Sequence, residues 1–365
     1  MPSYDEEIRA LLISDSVSTT SFMVSGLILY AMALIHPALI LLFAAALAKF
    51  VGPLYRTNDT GEARRRKWKE MISDDRTKPD WYDPPENLEY NDGYWVNGRG
   101  MCLYNFVMKP KKKKVKGVVM FCHGYTETAR WLKGGKEYRR LCDAGYAVMA
   151  LEYEGHGRSD GLLALFPSWS TLIGDVCEYM FETSSTQFPN LPLFVCGESM
   201  GGAVAYEVSD RMKEIVSGTV FVAPMLAGER VRASKQRVSS TSSLSVIHFL
   251  THHVALAVHE NVKPPPIVIK AFYKIVGPPN SCGFIGTLPL APSKDLGDFS
   301  FHLKEKREIV DAHCAFFGRK PRLASARELL DTTDRISASL ADYTLPFFVI
   351  HGEDDKVTDP ELSQR

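Results

Sequence analysis

Neither sign of charge is in excess in this chain. Lys and Arg number 43 and Asp and Glu number 43, so no general field draws the protein to nucleic acid. Cysteines are few and solitary. None of the seven forms a Cys-x-x-Cys pair and an odd number cannot all pair internally, which argues against a disulfide framework and for reduced, cytosol-facing thiols. His248 and His252 share a helical i, i+4 spacing beside His253 and His259, but no Glu completes a His-Glu-x-x-His pattern and the cysteines are remote, so no metal is expected. No histidine follows His351. With 45 % hydrophobic and 24 % charged residues, the composition is that of an ordinary globular protein.

Long hydrophobic runs are absent except for one. From Phe22 to Ala48 no residue is charged, which is long enough to cross a bilayer; His36 and Pro37 divide it into arms too short to span, so a single tilted, kinked helix is expected. The tail 1–21 carries Asp5, Glu6, Glu7 and Asp15 instead of a basic cluster, unlike a signal peptide. Lys49, Arg56, Arg64, Arg65, Arg66, Lys67 and Lys69 follow the run and only Arg9 precedes it, which puts the rest of the protein in the cytosol by the positive-inside rule. Residues 49–85, polar and carrying Pro79, Pro84 and Pro85, suit a juxtamembrane linker.

The pentapeptide Gly197-Glu198-Ser199-Met200-Gly201 follows the apolar run Leu191–Cys196 and precedes a helical pattern beginning at Met200. A serine between a strand and a helix sits in a strained turn that exposes its hydroxyl, with the positive end of the helix aimed at it. Ser199 is therefore the candidate nucleophile. Val118–Cys122 reads as a buried strand ending in His123-Gly124-Tyr125-Thr126, where an oxyanion donor is expected; the Tyr125 and Met200 amides are the candidates. His123 and His156 read as loop braces. Leu345–Ile350 is a third such strand, followed by a loop that holds Asp354 and Asp355.

His123-Gly124-Tyr125-Thr126, Gly155-His156-Gly157-Arg158-Ser159-Asp160-Gly161, Gly197-Glu198-Ser199-Met200-Gly201-Gly202 and His351-Gly352-Glu353-Asp354-Asp355 occur in that order. Together with Val222-Ala223-Pro224-Met225 and Lys320-Pro321-Arg322-Leu323, they resemble the α/β-hydrolase family of monoacylglycerol lipases and lysophospholipases, especially its plant and algal branch. The likeness covers residues 86–365. It implies an α/β-hydrolase fold, a mostly parallel sheet flanked by helices with a helical cap at about 224–340, here preceded by the transmembrane anchor. It also implies Ser199 as nucleophile, Asp355 as triad acid, and Tyr125 and Met200 as the oxyanion hole. The order Ser, acid, His places the base beyond Asp355, where this sequence offers none, so a C-terminally incomplete enzyme lacking its final strand, histidine loop and helix is expected.

The expected reaction is hydrolysis of a lipid ester, monoacylglycerol or lysophospholipid, at a membrane, with no cofactor. A polar ester, acyl transfer, or a catalytically silent tethered module stays open. Leu88–Val96 and Met101–Met108 read as a hairpin. Six lysines between Lys109 and Lys116 read as a solvated loop, with anionic lipid headgroups as the alternative contact. Apolar cap residues such as Leu244, Phe249, Ile267 and Phe272 are candidates for an acyl-chain tunnel.

Overall fold

The computed structural model describes residues 59–73, 85–129, 136–166, 168–226, 268, 283–291, 307–308, 318–355 and 357–363. The uncharged run Phe22–Ala48, the His248–His259 cluster and most of the expected cap lie outside them. Among the described residues no helix is long and apolar enough to cross a membrane.

Seven strands form one sheet in the order β1-β2-β4-β3-β5-β6-β7. They are β1 Leu88–Val96, β2 Cys102–Pro110, β3 Gly117–Cys122, β4 Tyr146–Leu151, β5 Leu193–Glu198, β6 Val216–Val222 and β7 Phe347–Ile350. The first pair is the expected antiparallel hairpin, with Leu88 opposite Pro110 and Val96 opposite Cys102. β2 runs antiparallel to β4, and from β4 onward every neighbouring pair is parallel. Parallel strands need long crossovers, and helices fill them: α2 Lys136–Asp143, α3 Trp169–Gln187 and α4 Met200–Arg211. Ser168 caps α3, its hydroxyl accepting the Thr171 amide at 3.1 Å.

Burial on both faces explains why the central strands read as unbroken apolar runs. Along β3, Val118, Met120 and Cys122 face one cluster with α3 and α4, while Phe121 faces the other with Tyr138 of α2. β4 divides in the same way, Ala147, Met149 and Leu151 against Val148 and Ala150, which is the two-residue period of a strand. β7 is the outer strand, and its Phe347, Phe348 and Ile350 are exposed.

Two helices fall where the sequence suggested other roles. α1, Gly61–Ser73, lies within the stretch expected to be a linker, yet its Arg64 and Trp68 are buried. Its polar sequence carried no core pattern because the burial is of a cation among carbonyls. α5, Leu323–Ser339, lies within the stretch expected to be cap. Its Leu329 and Ile336 join the main core, its Glu328 accepts the Trp169 amide at the start of α3 at 3.0 Å, and Tyr206 of α4 donates to the Ser339 carbonyl at 2.8 Å. That part of the range is thus laid on the helical layer.

Candidate active site

The turn between β5 and α4 has the backbone that a nucleophile elbow demands. Ser199 has φ 55° and ψ −122°, a conformation costing a non-glycine residue about 1–3 kcal/mol. Its neighbours hold it there. The Ser199 amide donates to the Val222 carbonyl at 3.1 Å, and its carbonyl accepts the Gly202 and Met225 amides, both at 2.9 Å. The half-buried side chain caps nothing in α4.

The flanking glycines are required by close approach. A Cβ on Gly197 would lie 2.0 Å from the Gly201 carbonyl oxygen, and one on Gly201 would lie 2.0 Å from that of Cys122. The second contact shows how the site is assembled: the β3 exit loop, with His123 and Tyr125, rests directly on the first turn of α4. Among the described residues neither the Tyr125 nor the Met200 amide has a hydrogen-bond acceptor.

Three histidines are described. His123 is fully buried and stacked on Tyr153 at 3.9 Å; its Nδ1 donates to the Gly124 carbonyl at 2.8 Å and its Nε2 accepts the Tyr153 amide at 3.2 Å. Burial brings its pKa down to about 4. His156, with Nδ1 3.0 Å from the Glu154 carbonyl, is brought down by burial to about 3. Both are neutral braces, as the glycine-flanked sequence suggested. His351 places Nδ1 2.7 Å from the Ser363 hydroxyl and Nε2 3.2 Å from that of Thr358, which commits its ring to the β7 exit loop.

Asp355 sits in that loop. One carboxylate oxygen accepts the Val357 and Thr358 amides at 2.7 and 3.0 Å, and the other lies 2.9 Å from the Thr358 hydroxyl and 3.4 Å from His351 Nε2. Asp354 is exposed. Thr358 Oγ1 also lies 3.2 Å from the Ala223 carbonyl, and the Ala223 amide donates to Ile350 at 2.8 Å. Ser199 is bonded to the adjacent Val222, so the Asp355 loop and the elbow share the step at the end of β6.

Sequence reasoning missed two groups at this end of the sheet. Glu152, wholly buried, accepts the Arg158 guanidinium (Nη2, 2.9 Å) and amide (2.7 Å). Asp59 meets Arg322 at 3.1 Å and Arg319 more closely still. Arg322 stood in a recognised tetrapeptide, but nothing in the sequence tied it to Asp59. Among the described residues no group of three or more His, Cys, Asp or Glu is placed to hold a metal ion.

The sequence profile of the serine aminopeptidase S33 family matches residues 113–365. The chain belongs to this family. An Arabidopsis thaliana caffeoylshikimate esterase is 25 % identical over 289 residues, 78 % of this chain and 74 % of that one. A mouse monoglyceride lipase is 28 % identical over 171 residues, 45 % of this chain and 53 % of the relative, so the match spans about half of that enzyme. In fold, a soluble variant of Saccharomyces cerevisiae monoglyceride lipase superposes with a TM-score of 0.53 at 16 % identity, over 77 % of this chain and 81 % of that structure. The S33 hydrolase is thus a carboxylic ester hydrolase on the α/β-hydrolase fold.

Proposed function

We propose that the protein hydrolyses lipid esters, monoacylglycerols or lysophospholipids, at a membrane surface to which its N-terminal region anchors it. Ser199 attacks the ester carbonyl while an imidazole oriented by Asp355 takes its proton. The Tyr125 and Met200 amides stabilise the tetrahedral oxyanion, the alcohol leaves, and water releases the acid by the same steps. The carrying observation is the strained Ser199 turn, held against the Tyr125 loop with Cβ-free contacts at Gly197 and Gly201.

Support for a lipid comes from the resemblance to monoglyceride lipases and from the uncharged run Phe22–Ala48. A basic flank after that run supports a catalytic domain in the cytosol, and Asn58-Asp59-Thr60 provides the check, since a glycan there would reverse the topology. A second reading, a polar phenolic ester, is favoured by the broader match to the caffeoylshikimate esterase.

The test is fluorophosphonate labelling of the protein expressed from its natural reading frame, followed by turnover of a monoacylglycerol, a lysophospholipid and a hydroxycinnamoyl ester. Labelling that vanishes in Ser199→Ala, with a kcat/KM for the lipids above that for the phenolic ester, is expected. Absence of labelling in the parent protein defeats the serine chemistry, and a preference for the phenolic ester defeats the lipid assignment.

A further inference from the structure

The loop Tyr153–Phe166, at the carboxyl end of β4, is gripped from outside the region that matches the family. Arg64 of α1, wholly buried, donates from Nε to the Gly157 carbonyl at 2.6 Å, from Nη2 to those of Ser159 at 2.6 Å and Gly161 at 3.2 Å, and from Nη1 to that of Asp59 at 2.5 Å. Arg65 adds the Asp160 carboxylate at 2.7 Å and the Arg158 carbonyl at 3.1 Å. Trp68 stacks on the Arg158 guanidinium at 4.2 Å. An irregular loop with carbonyls turned inward cannot satisfy itself; here one planar fork of donors satisfies three of them at once.

From that grip a chain of bonds leads to the oxyanion loop. The Leu163 amide donates to the Asp59 carbonyl at 2.7 Å, and Arg322 Nε donates to the Leu163 carbonyl at 2.6 Å while its Nη2 reaches the Asp59 carboxylate. The Ala164 amide donates to Gly155 at 2.7 Å, and the Ala164 carbonyl accepts the Tyr125 hydroxyl at 2.8 Å and the Ser325 hydroxyl at 2.9 Å. Tyr125 is thus tethered at its side chain by the loop that Arg64 holds.

We propose that Arg64 is a positioning residue for the oxyanion hole: by clamping Gly157–Gly161 it fixes the Ala164 carbonyl and, through the Tyr125 hydroxyl, the backbone that presents the Tyr125 amide. This rests on the oxyanion role proposed above for Tyr125. α1 therefore belongs to the catalytic unit, although its sequence reads as a charged connector.

The test compares Arg64→Gln and Arg64→Lys, with Arg66→Gln on the exposed side of α1 as control, in the protein from its natural reading frame. By hydrogen exchange, Arg64→Gln should accelerate amides of residues 123–128 and 155–165 and leave those of β5 unchanged; acceleration confined to residues 61–73 would overturn the clamp. On p-nitrophenyl butyrate, kcat should fall roughly 10- to 100-fold with KM within about twofold, because a misplacement of about 1 Å costs up to about 10²-fold. Arg64→Lys should recover part of the loss, and a change in KM alone would count against the proposal. Should Arg64→Gln fail to fold, Tyr125→Phe removes only the last link; it should lower kcat several-fold with faster exchange at 123–128, and unchanged kcat and exchange would overturn the coupling. A parent protein inert toward esters would sink the reaction assigned to Ser199 and leave the exchange result to decide the clamp.

Discussion

Adding a single methyl group at Gly201 should separate the two halves of the oxyanion hole. A Cβ there would lie 2.0 Å from the Cys122 carbonyl oxygen, 2.6 Å from its carbon and 2.7 Å from the His123 carbonyl oxygen. These are backbone atoms of β3 and its exit loop, so no flexible side chain can swing aside. Carbon and oxygen tolerate an approach of about 3.3 Å, and the first turn of α4 must therefore retreat from the β3 loop by roughly 1 Å. The Tyr125 amide rides on that loop and the Met200 amide on that turn, so the retreat is taken directly between the two donors. A displacement of this size costs about 10²-fold in rate, and overpacking typically costs about 1–3 kcal/mol of stability. For a domain of this size, that is a fall in melting temperature of roughly 2–6 °C. Gly174→Ala is the control. It lies within α3, its Cβ would meet nothing within 4 Å, and the substitution should stabilise by about 0.4–1 kcal/mol through the unfolded state. The assay is the second-order rate of fluorophosphonate labelling, measured beside thermal melts of the same samples. A folded Gly201→Ala protein that labels within twofold of the parent would refute the contact between loop and helix as the basis of the site.

Glu152→Gln should cost about 3–5 kcal/mol in urea unfolding, because Arg158 is left buried between Trp68 and Tyr104 without its counter-charge. A loss under about 1 kcal/mol would show that the Trp68 and Tyr104 rings suffice for Arg158. Acid should weaken the fold through the buried histidines: an unfolded histidine titrates near 6.5, whereas burial holds His123 at about 4 and His156 at about 3. The folded state then binds fewer protons below pH 6.5, so their stabilisation is complete above 6.5 and is lost as pH falls toward 4 and then 3. At pH 5 each should have forfeited roughly 2 kcal/mol relative to pH 7.5, and His156→Asn should flatten the profile; identical profiles in the two proteins would refute the neutral, buried assignment.

What was legible in the sequence is what is decided locally. The elbow could be read because its pattern is written in five consecutive residues, although only Gly197 answers a local contact, with Gly201, whereas Gly201 makes room for Cys122 of β3. The parallel strands could be read because burial on both faces leaves an unbroken apolar run, as in Val118–Cys122 and Tyr146–Leu151. Asp355 over Asp354 followed from resemblance alone, since two adjacent carboxylates in one loop have the same local pattern. Arg64 and Glu152 were illegible for the opposite reason. A charged residue in a polar stretch has the same local pattern whether it is solvated or buried, and its burial depends on carbonyls or a guanidinium elsewhere in the chain. Three of the four carbonyl partners of Arg64 lie more than 90 positions away, at Gly157, Ser159 and Gly161. The helical pattern of α5 was legible from Ser325 to Asp331, but its placement was not, since its apolar positions are the same for a cap helix and for one laid on α3 and α4.

The fold also sets the lysine run against the catalytic end. Lys113 Nζ donates to the Asp143 carbonyl at 2.6 Å and Lys116 Nζ to that of Ala144 at 2.9 Å, where cations complement the negative end of α2. That place is the amino end of the parallel strands, since Gly117 opens β3 and Tyr146 opens β4. Ser199, the Tyr125 loop and the Tyr153–Phe166 loop gripped by α1 all lie at the carboxyl end, a six-residue strand or about 20 Å away. A flat bilayer held by the lysines would therefore face the end of the sheet remote from Ser199. α1, in contrast, docks at that carboxyl end, through Arg64 on the Gly157, Ser159 and Gly161 carbonyls. The lysines bonded to Asp143 and Ala144 thus close the carboxyl end of α2, at the end of the sheet opposite to Ser199.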